Sequence, residues 1–383
     1  MPWTEICNQL PRGDIVRDNL IRTVSGTTPA QAKLLAFQDP DIVFFFFCRE
    51  AVDLGDGQHF SAGDALFFNG HLPEGYDGGP QGDVYERHAV AVAYVPSLLE
   101  TLKEQYQNQP HKVFLDELRH DTLKMIRDAA DTSFNGAPAI DAILFSVNLN
   151  QKSSGTPQDT TWLVPDAPGP TMLRANVDFM MLMEDRTVVD YLHEKGIAFL
   201  LTGLNNHDMA GWSNFPPDEA GSLDAVQFGL QCQRVLQQYH LDGIDIDDEF
   251  AAKSAPVFDG SLAMVSHDVH RFIKPATLTK ALYVDHAYFG QSYDGTTLGS
   301  CLSWGWTMSY WLTPQEQLEP YETLMESRRL LCGFQTNNYE PVKTDIQRMV
   351  RQGYGGVMVF GLGSPDYPGT DKLLNNLLTY WMG

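Results

Sequence analysis

The stretch Leu241-Asp-Gly-Ile-Asp-Ile-Asp-Asp-Glu-Phe250 (LDGIDIDDEF) sets five carboxylates between Asp242 and Glu249. Ile244 and Ile246 alternate with the acids, as in a strand with one face in a core. On such a strand Asp245, Asp247 and Glu249 share one face. Asp242 precedes Gly243 and holds the turn, and Asp248 points away from the row. Three stacked acids cannot all ionise cheaply, so at least one pKa must rise or a proton must be shared. That arrangement suits a carboxylic acid kept protonated near neutral pH and able to donate to a leaving group.

Three further roles for the acids fit less well. A calcium loop counted from Asp245 needs Gly at its sixth position and Glu at its twelfth, where the chain has Phe250 and Pro256. A divalent-metal hydrolase would bring an HxH or HExxH pattern, and none accompanies the acids. A solvated acidic loop does not account for the interleaved isoleucines or the preceding Tyr239-His240-Leu241.

On either side of this stretch, β-branched or apolar runs alternate with helical segments. Strand candidates are Ala89–Val95, Ala142–Asn148, Val177–Met183, Ile197–Thr202, Gly243–Asp247, Thr279–Val284, Leu302–Trp306, Leu330–Phe334 and Gly356–Phe360. Amphipathic helices are expected over Ser222–Tyr239, Gln315–Ser327 and Val342–Gln352. Repeated β–α units imply a parallel sheet, and about eight of them fit a (β/α)8 TIM barrel over residues 86–383. The strand count is one too many, and Val177–Met183 is the weakest member. No GxGxxG or GxxxxGK[ST] supports a nucleotide-binding sheet. The Gly- and Pro-rich loop 70–82 closes off residues 1–85, which are expected to form a small separate N-terminal domain with strands at Ile42–Cys48 and Ala65–Phe68.

The 383-residue chain is 43% hydrophobic and carries a formal charge of −23. That charge disfavours nucleic acid and anionic membrane as partners and favours a neutral or cationic ligand. No run reaches the ~18 apolar residues of a membrane-spanning helix. The opening residues lack a basic segment followed by an apolar run. A cytoplasmic location or non-classical export is therefore expected, with secretion if the chain is trimmed. Five scattered cysteines, odd in number and without CxxC spacing, are expected to be buried thiols.

Asp242-x-x-Asp245-x-Asp247-x-Glu249 is similar to the DxxDxDxE signature of glycoside hydrolase family 18, which holds chitinases and endo-β-N-acetylglucosaminidases. Gly196–Thr202, Gly203–His207 and Ala210–Phe215 resemble the third strand and following loop of the endo H and endo F1 type. The likeness spans roughly residues 88–383. It implies a TIM barrel, no cofactor, no metal, and N-glycans on glycoproteins or free oligosaccharides as partners. It also implies substrate-assisted catalysis, in which the 2-acetamido group of the sugar is the nucleophile. By that likeness Glu249 would be the general acid/base, Asp247 would orient the acetamido group, and Asp245 would share a proton with Asp247. Asp242 and Gly243 would be structural.

Family members hold the acetamido carbonyl with a tyrosine of the sixth strand, often in M-x-Y-D. Met308-Ser-Tyr310-Trp311 matches three of those positions, which nominates Tyr310. Asn206, His207 and Tyr283 are candidates for the substrate subsites. Trp304 and Trp306 share a face and are candidates to stack on sugar rings, with core packing as an equal alternative. The eighth strand lacks the tryptophan usual in chitinases. The expected activity is therefore an endo-β-N-acetylglucosaminidase, with a chitinase or a catalytically silent glycan-binding protein as alternatives.

Overall fold

A computed structural model describes residues 3–10, 19–53, 58–69, 77–184, 186–205, 210–249, 257–283 and 285–383. Eight parallel strands close into a barrel: Val90–Val95, Ala142–Gln151, Ala198–Asn205, Gly243–Asp247, Thr277–Leu282, Trp304–Thr307, Leu330–Gln335 and Gly356–Phe360. They are called strands one to eight below. Strand one pairs with both strand two and strand eight, which closes the ring. An antiparallel hairpin, Thr160–Trp162 and Thr171–Asn176, extends strand two beyond the barrel mouth.

The surplus strand candidate is a helix. Val177–Glu184 follows the hairpin as one α-helix with Phe179, Leu182 and Met183 buried. Unbranched Met and Leu favour a helix, and only Val177 in this run is β-branched. The helix expected over Gln315–Ser327 is also shorter. Thr313 and Glu316 form a capping box at the start of Pro314–Leu318, and a 3-10 turn follows at Glu319–Tyr321. Pro320 lacks the N–H that a continuing helix requires.

The acidic strand is set up by what precedes it. Asp218 caps the helix Glu219–Tyr239, accepting from the Gly221 N–H at 2.8 Å. His240 ends the helix in the left-handed region (φ 56°), and strand four begins three residues later. Asp242 then ties strand four to strand three. Its carboxylate accepts from the Phe199 N–H at 2.8 Å and lies 2.9 Å from His193 Nε2. Gly243 must be small, because a Cβ there would sit 2.4 Å from the Thr277 carbonyl oxygen.

The N-terminal strands form a five-stranded antiparallel sheet in the order Trp3–Leu10, Asp77–Arg87, Phe44–Cys48, Ala65–Phe68, Leu20–Val24. The sheet runs to Arg87 and leads into strand one. Its helix Pro29–Gln38 closes the floor of the barrel. Leu34 and Phe37 pack against Val90, Val92, Ala142, Leu144, Ala198 and Leu200, the residues at the N-terminal ends of strands one to three. Trp3 Nε1 donates to Asp141 Oδ1 at 2.9 Å, and Arg87 donates to the carbonyls of Ala36 and Pro40.

Candidate active site

Strand alternation turns Asp245 and Asp247 into the lumen and Ile244 and Ile246 into the layer of helices. Asp245 lies deepest, fully buried. Thr202 Oγ1 on strand three and Thr279 Oγ1 on strand five donate to its two oxygens at 2.9 and 2.8 Å. Burial still wins over those bonds and raises its pKa to about 7.

Asp247, one step nearer the mouth, is 4% exposed. Burial raises its pKa well above the ordinary carboxylate value, and the charges of Glu249 and Asp245 push in the same direction. Its Oδ1 is buried with no hydrogen-bond partner among the described residues. Glu249 stands above it, half-buried, at the edge of the cleft. Asp245 and Asp247 are thus disposed to hold protons at neutral pH.

A cleft of about 420 Å³ opens over this row. Asp247 and Glu249 are its only charged lining residues among those described. The walls are Tyr94, Leu204, Ala281, Trp306, Met308, Tyr310, Met358 and Phe360, with Tyr283 and Trp311 at the rim. Tyr94 stacks on Phe360 with centroids 4.9 Å apart, and Phe360 lies 5.9 Å from the Tyr310 ring. The Tyr310 hydroxyl stays protonated, its pKa raised by burial and then by the Asp247 charge. Tyr310 is not on strand six but in the turn three residues past its end.

Tyr283 follows strand five and is 41% exposed. Trp311 is 56% exposed. Their rings meet edge to face at 6.3 Å. The sequence nominated Tyr283 but marked Trp311 only as the residue standing in the Asp position of M-x-Y-D. A large exposed indole in a turn was the available signal. Tyr94, Leu204 and Met358 were missed, because nothing local marks them as facing a cleft; Met308 was marked only as the first position of M-x-Y, and Phe360 only through the tryptophan that strand eight lacks.

The expectation for the two tryptophans needs correction. Trp304 and Trp306 do share the lumen face, yet they are 1% and 0% exposed. Trp304 lies on the floor of the barrel, where its Nε1 donates to the Phe37 carbonyl at 2.8 Å and its ring stacks on Phe37. The N-terminal helix covers it, so it cannot meet a sugar. Trp306 borders the cleft from within the core. Asn206 and His207 lie outside the described residues.

Behind strand four the acids are treated differently. Burial raises the Asp248 pKa, and the Ser213 hydroxyl, which donates to it, and the charge of Lys280 offset only part of that rise. Lys280, from the outward face of strand five, is fully buried. It pairs with Asp285 and donates to the Ala281 carbonyl at 2.8 Å. Burial favours a neutral amine there, but Asp285 outweighs it and holds the charge. Asp285 also accepts from the Tyr321 hydroxyl at 2.7 Å.

No family model matches the chain. Its sequence is 27% identical over 240 residues to an endo-β-N-acetylglucosaminidase of Flavobacterium sp. (strain SK1022), covering 61% of this chain and 69% of that protein. It is 24% identical over 242 residues to endo-β-N-acetylglucosaminidase F1 of Elizabethkingia meningoseptica, covering 60% and 64%. The matches thus span about two thirds of these curated relatives. Among solved structures, EndoBT-3987 of Bacteroides thetaiotaomicron, crystallised with a Man5GlcNAc product, superposes with a TM-score of 0.50 at 13% identity, covering 96% of this chain and 85% of that one. A group II chitinase catalytic domain of Ostrinia furnacalis gives 0.50 at 12% identity, covering 76% and 97%. These two likenesses carry the barrel fold alone.

Proposed function

We propose that the chain is a member of glycoside hydrolase family 18 and acts as a retaining endo-β-N-acetylglucosaminidase. The substrate we assign is the β-1,4 bond of the N,N′-diacetylchitobiose core of N-glycans, of high-mannose or hybrid type. The observation that carries the proposal is the row Asp245, Asp247, Glu249, its two deeper acids disposed to keep their protons, beneath an aromatic cleft without a basic residue among its described lining.

Glu249 donates its proton to the glycosidic oxygen as the C1–O bond breaks. The carbonyl oxygen of the substrate's own 2-acetamido group bonds to C1, giving an oxazolinium ion. Asp247 faces the acetamido N–H and offsets the positive charge that develops there. Its buried Oδ1, without a protein partner among the described residues, suits that task. The raised pKa of Asp245 lets it share a proton with Asp247. Water then adds to C1 from the side the leaving group vacated, giving its proton to Glu249 and restoring the β configuration. The Tyr310 hydroxyl, protonated at the cleft wall, donates to the acetamido carbonyl. Substrate assistance removes any need for a carboxylate nucleophile.

Two features favour this substrate over chitin. The aligned curated relatives bear the endo-β-N-acetylglucosaminidase name, and strand eight ends in Phe360 rather than tryptophan. Incubation with a high-mannose glycoprotein is expected to release the glycan and leave one N-acetylglucosamine on asparagine, read by mass spectrometry. Cleavage of chitin oligosaccharides with no glycan release would overturn the proposal.

A further inference from the structure

A groove of about 380 Å³ lies between the hairpin that extends strand two, the loop after strand three and the first turns of the helix Glu219–Tyr239. It shares no lining residue with the cleft. Asp224 is the only charged side chain in its lining among the described residues.

Asp224 is 9% exposed. The Thr171 hydroxyl donates to its Oδ2 at 3.0 Å. Its Oδ1 is buried without a hydrogen-bond partner among the described residues. Oδ1 faces Gly169, where a Cβ would come 3.0 Å from it and 2.9 Å from Gln227 Oε1. Gln227 thus turns an acceptor, not a donor, toward the same spot. Burial raises the Asp224 pKa to about 6, against the hydrogen bonds from Thr171, and no basic side chain contributes. At pH 7.5 the carboxyl is therefore mostly ionised, a buried charge with one oxygen unpaired. The groove walls beside it are apolar, formed by Pro170, Phe215, Pro216 and Leu223. Leu223 leaves 58% of its surface exposed there.

These features select the occupant. A divalent metal needs several ligands, and one carboxylate does not supply them. A guanidinium fork pairs with two free carboxylate oxygens, and Thr171 has taken one. A primary ammonium is a compact charge with three donors, enough for Asp224 Oδ1 and Gln227 Oε1 together. The aliphatic stem behind such a group covers apolar surface. The formal charge of −23 draws cations to the chain.

We propose that the groove binds a primary alkylammonium ion, with its head on Asp224 and its stem along Pro216 and Leu223. A lysine side chain of a polypeptide and a free alkylamine share this chemistry. The site is separate from the cleft, so its occupancy and glycan release are independent.

Titrating the full chain with n-butylamine at pH 7.5 is expected to shift the backbone amide NMR signals of Thr171 and Leu223. The neutral analogue 1-butanol should leave them in place. Asp224→Asn keeps an acceptor for Thr171 and removes the charge, so the Kd for butylammonium is expected to rise at least about 10-fold. Leu223→Ser changes an exposed position, keeps Asp224 and is expected to raise the Kd about 3-fold. Absent shifts, equal shifts with 1-butanol, or an unchanged Kd in Asp224→Asn would overturn the site. An unchanged Kd in Leu223→Ser would overturn the placement of the stem. A parallel titration uses the capped tripeptide acetyl-Ala-Lys-Ala-amide. Tighter binding of the peptide than of butylamine would identify a polypeptide lysine as the occupant, and the reverse order a free amine.

Discussion

The two faces of strand four carry the same residue type and differ in the partners that meet it. Behind the strand, Asp248 is met by a hydroxyl and by the field of Lys280, itself locked to Asp285. In front, Asp245 receives two threonine hydroxyls and no cation in contact, and Asp247 and Glu249 face the cleft. Burial is similar on both sides. Behind the strand an ion pair with Asp285 keeps the Lys280 charge, while in front burial leaves Asp245 and Asp247 disposed to hold protons. The same stretch of chain thus supplies a fixed support and a proton source.

The largest effect on the front face should come from Glu249→Gln. It keeps the shape and removes the transferable proton, so glycan release is expected to fall roughly three to four orders of magnitude, with an unchanged circular dichroism spectrum. Asp247→Asn stabilises the oxazolinium less well but transfers no proton to the leaving group, so a fall of roughly two orders in kcat is expected. A rate near that of the parent in either variant refutes its assigned role.

Lys280→Met tests the rear face. It strips the partner from Asp285 and is expected to cost about 3–5 kcal/mol in urea denaturation. Restoration by a second change, Asp285→Leu, would identify the stranded charge as the cause, and a loss that persists would contradict it.

Per pH unit, the smallest effect belongs to Asp245. Its folded pKa of about 7 exceeds the ordinary 3.8. Between these values the folded chain binds a proton that the unfolded chain has released. Stability from this group is therefore greatest at low pH and declines as pH rises toward 7, by up to about 1.4 kcal/mol per unit. Asp245→Asn is expected to flatten that slope, and an unchanged slope would show that Asp245 ionises freely.

The front row was legible because a period of two is local: LDGIDIDDEF sorts its own acids once it is taken as a strand. The barrel was legible for the same reason, from runs spaced along the chain. The rear network was hidden, although TLTKAL carries a signal. Alternation from Thr279 puts Lys280 against the helices, where a lysine needs a counter-charge. Val177–Met183 misled because six of its seven residues are apolar, with only Asp178 between them, and such a run has no period of its own. The floor of the barrel could not be read at all. Phe37 meets Trp304 across most of the chain, and neither residue's neighbours announce the contact. The sharing of a face by Trp304 and Trp306 was readable, whereas their depth was set by the N-terminal helix.

The proposed mechanism turns on Glu249 delivering the proton to the leaving group. A high-mannose glycan with nitrophenol in place of its asparagine-linked N-acetylglucosamine needs no such proton, because nitrophenolate leaves unaided. Pre-steady-state release should then be compared for the parent chain and Glu249→Gln on this substrate and on the natural glycopeptide. With Glu249 as the acid, the nitrophenolate burst in Glu249→Gln is expected within about 10-fold of the parent, beside a loss of roughly three orders or more on the glycopeptide. An equal loss on both substrates would contradict that role.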